Sequence, residues 1–417
     1  MRSDYLNLMG VANVYLFVQL FITPILMVLF ANSELVQIIE SELYFPMATM
    51  FTAESVGISL LGYMAFLIGG IIQLPRVKGG ASEIDWRAPN VVRMFWTFFL
   101  FGFVWKIFRL LAGGDIQISG AKVGFFGDEV TFFLSLNSFH MIALPFLAIA
   151  YYENDASFRR VANYYPLVLI FYLVNGLFNG AMSSVIFPLL MHFAIRQRYK
   201  KIEFIWILWL ALVVVAVIYF KVFMKTLLLD DPENTMSIFA PLTILVNRIS
   251  ISFVIASIVN NPDFSYGYGI VEQLMYSLKV PGFEYALPDG NALGHAYSLI
   301  DAEDFRTGMA ISLIGDLFLH WGLIGVCTGM FFIGVLYRQV TALTESKHRL
   351  SWIVYALLYP IMLHGLESPV SVLIAAILTI TVVCVTYYHL GRLFLLTTSH
   401  GSAIYKIAVW IRGGASK

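Results

Sequence analysis

The chain has 417 residues, 59% of them hydrophobic and 12% charged, with 26 basic and 26 acidic side chains and a mean hydropathy of +0.79. A water-soluble domain carries roughly 45–50% apolar and about 25% charged residues, so a single aqueous core cannot hide this much apolar surface. The zero net charge gives no reason to expect nucleic acid or a strongly acidic partner.

Apolar runs of about 20 residues recur, which is the period of a membrane helix and not of an outer-membrane strand of about ten. The expected class is all-α and polytopic, with ten spans near 12–31, 56–75, 91–112, 129–152, 163–179, 181–195, 203–222, 308–337, 351–367 and 370–396. The apolar run of the first span is too long for a signal-peptide core, so it is expected to be retained. Membrane helices 1–7 fill residues 1–222, a large connection fills 223–307, and helices 8–10 with a tail fill 308–417. Cys327 and Cys384 lie in apolar runs and read as buried thiols, not as a disulfide or a metal pair.

Orientation follows from the short connections. Arg76, Lys78, Arg87, Arg159, Arg160, Arg196, Arg198, Lys200, Lys201, Arg338, Lys347, Arg349, Arg392 and Lys406 all fall on one side if the spans alternate. The positive-inside rule makes that side cytoplasmic, with both termini, and places the 223–307 connection outside. Within it, "MSIFAPLTILVNRISISFVIASIV" (236–259) is apolar with Arg248 near its centre. A full crossing there would invert the downstream charge pattern, so the segment is expected to be a re-entrant or interfacial helix packed on the bundle.

The remaining polar residues converge on the outer side. Lys106 and Arg109 in "WKIFRLLAGG", and Lys221 and Lys225, sit near outer helix ends, where a basic side chain also serves simply to reach the headgroups. Arg248 is costly in "TILVNRISIS" unless it pairs or meets an anion, and Arg306 stands at the start of span eight, where it also fits a helix cap. Asp316 and His320 follow at i and i+4 on one face, above Gly315, Gly322, Gly325 and Gly329, small residues that let helices approach. With Ser312 they form either a polar packing seam or a substrate-lining stripe. His364 and Glu367 close span nine in "LHGLESP". Candidates for proton chemistry are His295, in the irregular "YALPDGNALGHAYS", and Asp301, Glu303 and Asp304. No P-loop, HExxH, metal-ligand spacing or DxD pair is present, so a metal-dependent nucleotide-sugar enzyme is not expected and no cofactor is assigned.

Residues 248–337 resemble the oligosaccharide repeat-unit polymerases of O-antigen and exopolysaccharide assembly. The shared features are a large external loop holding arginines, followed by a small-residue helix, here Gly315 through "HWGLIG". The resemblance covers about a quarter of the chain and departs at "NGAMSS" (179–184), where relatives carry a G-x-R-S arginine. Lys106 or Arg109 would have to supply that charge. The resemblance implies a GT-C-like membrane glycosyltransferase in the bacterial inner membrane, acting on undecaprenyl-pyrophosphate-linked oligosaccharides of the lipopolysaccharide type. It also implies a chain-length regulator protein as partner. Arg248, Arg306, Lys106 and Arg109, with Asp316, His320, His364 and Glu367, would bind pyrophosphate and glycan without a metal. His295, Asp301 or Glu303 would take the acceptor proton. The O-antigen ligases share this plan, and a lipid-linked-sugar flippase is the alternative from another class.

Overall fold

The computed structural model describes residues 7–30, 51–74, 139–153, 162–178, 182–200, 251–260, 269–278, 280–283, 285–286, 311–346, 349–382 and 384–385, with isolated positions at 104 and between 202 and 219. Among these the chain is helical and contains no strand. We number the helices α1 Leu8–Leu29, α2 Ala53–Ile71, α3 Phe139–Glu153, α4 Tyr165–Phe178, α5 Met182–Tyr199, α6 Ile251–Asn260, α7 Ile270–Ser277, α8 Ser312–Ala342, α9 Arg349–Gly365 and α10 Val370–Val382. Every expected span that falls on described residues is helical. Among the described residues three helical segments are long and apolar enough to cross a membrane, by length and composition: Leu8–Leu29, Ala53–Ile71 and Ser312–Glu345. The expected spans at 91–112 and 203–222 lie outside the described residues, apart from isolated positions.

The helix starts show why the chain folds at these points. The first backbone N–H groups of a helix have no partner within it. In α1 they go to side chains: Leu8 N–H donates to the Tyr355 hydroxyl at 3.1 Å, Met9 N–H to Thr341 Oγ1 at 3.2 Å, and Gly10 N–H to Asn7 Oδ1 at 2.7 Å. Thr52 and Ser55 close a reciprocal capping box on α2. Midway along α1, Val18–Ile22 is a π-turn, and the carbonyl of Val18 accepts the Thr23 hydroxyl at 3.1 Å.

The tightest packing joins α2 to α8. A Cβ added at Gly69 would strike the Phe331 carbonyl oxygen, and one added at Gly334 would strike that of Phe66. Backbone therefore touches backbone, as small residues allow. Phe66 and Tyr337 meet edge to face at 5.3 Å, both fully buried. Gly62 lies beside Val326 while Gly69 lies beside Val335, so the two helices run parallel. Parallel directions are what the expected topology requires of spans two and eight.

One expectation is corrected. Span eight was read as a single helix, but Gly322 adopts φ 59° and ψ −152°, outside helical geometry, and divides α8 into arms 312–321 and 323–342. The arms fold back on each other. A Cβ on Gly329 would lie 2.5 Å from Leu317 Cδ2, and one on Gly62 would touch both Ile314 and Val326 at 3.0–3.1 Å. Residues twelve apart in a straight helix would be about 18 Å apart. The turn needs a glycine because this region is essentially closed to L side chains. The small residues Gly325 and Gly329 thus seat the helix against its own first arm, whereas Gly315 seats Ile258 of α6. Arm 323–342 is about 30 Å long and arm 312–321 only about 15 Å. Arm 312–321 is therefore the short limb of the fold-back.

The segment read as re-entrant, 236–259, is described only from Ile251, where α6 begins. Its described part packs on the bundle through Val254, Ile258 and Ile311. Cys327 and Cys384 are free thiols, both half-buried and not fully buried as expected.

Candidate functional site

The described basic residues and the sequence-predicted polar pairs lie in two separate parts of the bundle. One end holds every described lysine and arginine: Arg196, Arg198, Lys200, Arg338 and Arg349. Here Glu153 ties three helices together. It accepts Arg349 Nε at 3.1 Å and the Tyr199 hydroxyl at 2.9 Å, and it also pairs with Arg349 Nη2. Burial, and then the Glu153 carboxylate, push the Tyr199 phenol well above its usual range, so it remains a donor. The Arg198 guanidinium lies 5.0 Å over the Trp352 ring. Arg338 reaches Gln73 at 3.4 Å.

Sequence reasoning missed the aromatic nest behind this end. His192 Nδ1 is 2.6 Å from the Tyr165 hydroxyl and Nε2 is 3.4 Å from that of Tyr152. Tyr152 stacks on Tyr199 at 5.4 Å, and Tyr151 meets Tyr165 at 5.5 Å. The signal available was the doubled "YYE" and "NYYP" at the ends of neighbouring spans.

Away from the basic end lie the sequence-predicted residues that fall on described positions: Asp316, His320, His364 and Glu367. The framework around them is an exchange of unsatisfied backbone groups. The last turn of α9 tightens to i→i+3 bonds, Leu366 to Leu363 and Glu367 to His364. That leaves the Met362 carbonyl open, and the Tyr337 hydroxyl donates to it. The carbonyls of Glu367 and Leu366 then accept the first N–H groups of α8, from Ser312 at 3.2 Å and Leu313 at 3.3 Å. Ser312 holds this bend at φ 66°, and its Oγ accepts from Gly315 N–H at 3.1 Å.

Pro369 ends α9 and precedes α10, but it has no side-chain acceptor with which to cap the new helix. Asp316 supplies one from arm 312–321. Its Oδ2 accepts Val370 N–H at 2.8 Å, and the carboxylate is fully buried at the positive end of α10. The other oxygen, Oδ1, lies 3.7 Å from His320 Nε2, one turn further along. Beside this junction, His364 Nδ1 is 4.0 Å from Glu367 Oε2, and the Tyr15 hydroxyl of α1 donates to Glu367 Oε1. Phe187 of α5 packs edge-on to the His364 ring at 5.9 Å.

The structure therefore brings Asp316–His320 and His364–Glu367 to one junction, fastened by two backbone hydrogen bonds. Asp316 is engaged inside the protein by Val370 and His320, while the His364 side chain is 44% exposed. The predicted His295, Asp301, Glu303, Arg248, Arg306, Lys106 and Arg109 lie outside the described residues. Among the described residues no group of three His, Cys, Asp or Glu side chains is placed to hold a metal ion. Comparison with protein-family models, curated proteins and solved structures finds no match.

Proposed function

We propose that the chain is a membrane glycosyltransferase that joins lipid-pyrophosphate-linked oligosaccharide repeat units on the extracytoplasmic face. A membrane setting is supported by the exposed apolar faces of its long helices, for example Val14, Ile25, Leu29, Ile68 and Phe332. An aqueous surface would not carry so much apolar area. The observation that carries the reading further is the separation of the two ends. Every described basic residue is at one end, and the histidine–carboxylate pairs are at the other. By the positive-inside rule the side away from the basic end faces outward, the side to which the charge pattern of the sequence assigns the 223–307 connection with Arg248 and Arg306.

In this reading the arginines clamp a pyrophosphate that gains charge as it leaves the anomeric carbon. A hydroxyl of a second lipid-linked unit attacks that carbon and gives up its proton to a base. Lys106 and Arg109 add positive charge to the same face.

The test is a purified preparation in detergent given a synthetic lipid-pyrophosphate repeat unit, with products resolved on a gel. Wild type is expected to build a ladder of products. Arg248→Ala and Arg306→Ala, still monodisperse, are expected to lose about 100-fold or more of that activity. One transfer to a lipid A–core acceptor without a ladder would make the chain a ligase. Lipid-linked sugar moved across liposomes without chemistry would make it a flippase.

A further inference from the structure

We infer that His364 is the base that accepts the acceptor hydroxyl's proton, with Glu367 and Tyr15 as its positioning residues. This rests on the glycosyl-transfer reading and goes beyond it by moving the proton chemistry from the loop to the end of α9. Three observations carry it. The His364 side chain is 44% exposed while its neighbour Glu367 is only 19% exposed, so the imidazole is the more accessible member of the pair. Glu367 faces Nδ1, which turns the opposite ring nitrogen, Nε2, away from the carboxylate. The carboxylate is itself held from a different helix, by the Tyr15 hydroxyl.

A base oriented by a second group that is fixed by a third is the arrangement general-base chemistry uses. The 4.0 Å separation of His364 Nδ1 and Glu367 Oε2 is longer than a hydrogen bond, a contact of the kind that tightens around bound substrate. Asp316 is less suited to the task. It is fully buried and already caps Val370. His320, at 12% exposure, is turned toward it.

The step balances as follows. The acceptor oxygen forms a bond to the anomeric carbon while the bond from that carbon to the pyrophosphate oxygen breaks. The acceptor proton passes to His364 Nε2, and lipid pyrophosphate departs with the bonding electron pair. The resulting imidazolium faces the Glu367 carboxylate. The other described titratable groups at this junction are Tyr15 from α1 and Asp316 and His320 from arm 312–321. The side chain that α5 sets against the imidazole, Phe187, carries no charge.

The experiment is the ladder assay with His364→Ala and His364→Gln, each repeated with added imidazole across a range of pH. Both variants are expected to lose about 100-fold or more of the wild-type rate. Imidazole is expected to restore His364→Ala in proportion to its neutral form, and to leave wild type unaffected. A wild-type ladder accompanied by full activity in either variant overturns the assignment. So does a loss in both variants that imidazole does not restore at any pH, since a purely structural role would behave that way. Glu367→Gln, which keeps the side chain's shape, is expected to lose about tenfold while substrate affinity is retained; an unchanged rate would remove Glu367 from the positioning role. Failure of wild type to form any ladder would overturn the glycosyl-transfer reading itself, and the base assignment with it.

Discussion

At the basic end, Glu153 meets Arg349 and Tyr199 side chain to side chain, and Arg198 lies over Trp352. At the other end, Asp316 meets a backbone N–H of a helix that begins 54 residues later. Around it, Glu367 and Leu366 give their carbonyls to the first N–H groups of α8. The first arrangement joins the tips of finished helices. The second is part of how three helices start and stop, so removing it affects the backbone as well as the charge. A buried donor that loses its acceptor pays the full cost of desolvation, whereas half-exposed side chains that lose a partner are rehydrated.

That contrast can be tested in order of expected effect, by chemical denaturation in mixed micelles with helicity as the readout. Gly322→Val forces a side chain into a conformation open almost only to glycine, and is expected to cost about 3 kcal/mol. If it costs less than about 1 kcal/mol, the fold-back of α8 is wrong. Asp316→Ala leaves Val370 N–H without its acceptor and is expected to cost about 2 kcal/mol. Asp316→Asn keeps an oxygen at that position and is expected to cost about half as much, chiefly the charge at the start of α10. Equal costs for the two would mean that the cap is not what Asp316 provides. Glu153→Gln keeps one acceptor for Tyr199 while weakening the Arg349 pair, and is expected to cost no more than about 1 kcal/mol. If it exceeds Asp316→Ala, the ranking of the two ends is reversed.

How much of this could be read from the sequence depends on whether the information is local. Helices such as Leu8–Leu29 and Ala53–Ile71 follow from long apolar runs, and the clustering of Arg196, Arg338 and Arg349 follows from counting charges between them. The i, i+4 placement of Asp316 and His320 is also local, and the structure keeps it at 3.7 Å. The partner of Asp316 is not local, since nothing near position 316 identifies Val370. Hydropathy also reads straight through Gly322, because a window average does not register one residue's φ. Of the glycines expected at close-packing positions, Gly315, Gly325 and Gly329 are closely packed and Gly322 is not; nothing local names the partners, Ile258 for Gly315, Trp321 and Leu317 for Gly325, and Leu317 for Gly329. His192 escaped notice because its ligating tyrosines, Tyr152 and Tyr165, come from different helices.

The reversal at Gly322 changes the mechanical setting of the long connection that precedes it. Ile311, where that connection ends, is fully buried, and Ser312 and Leu313 are pinned to the end of α9. The connection is thus moored about 15 Å below the tip of the hairpin, where a straight helix would have carried its attachment to the rim. Helix α6, which lies within that connection, is itself packed against α8 through Ile258 and Gly315, so the connection has more than one hold on the bundle.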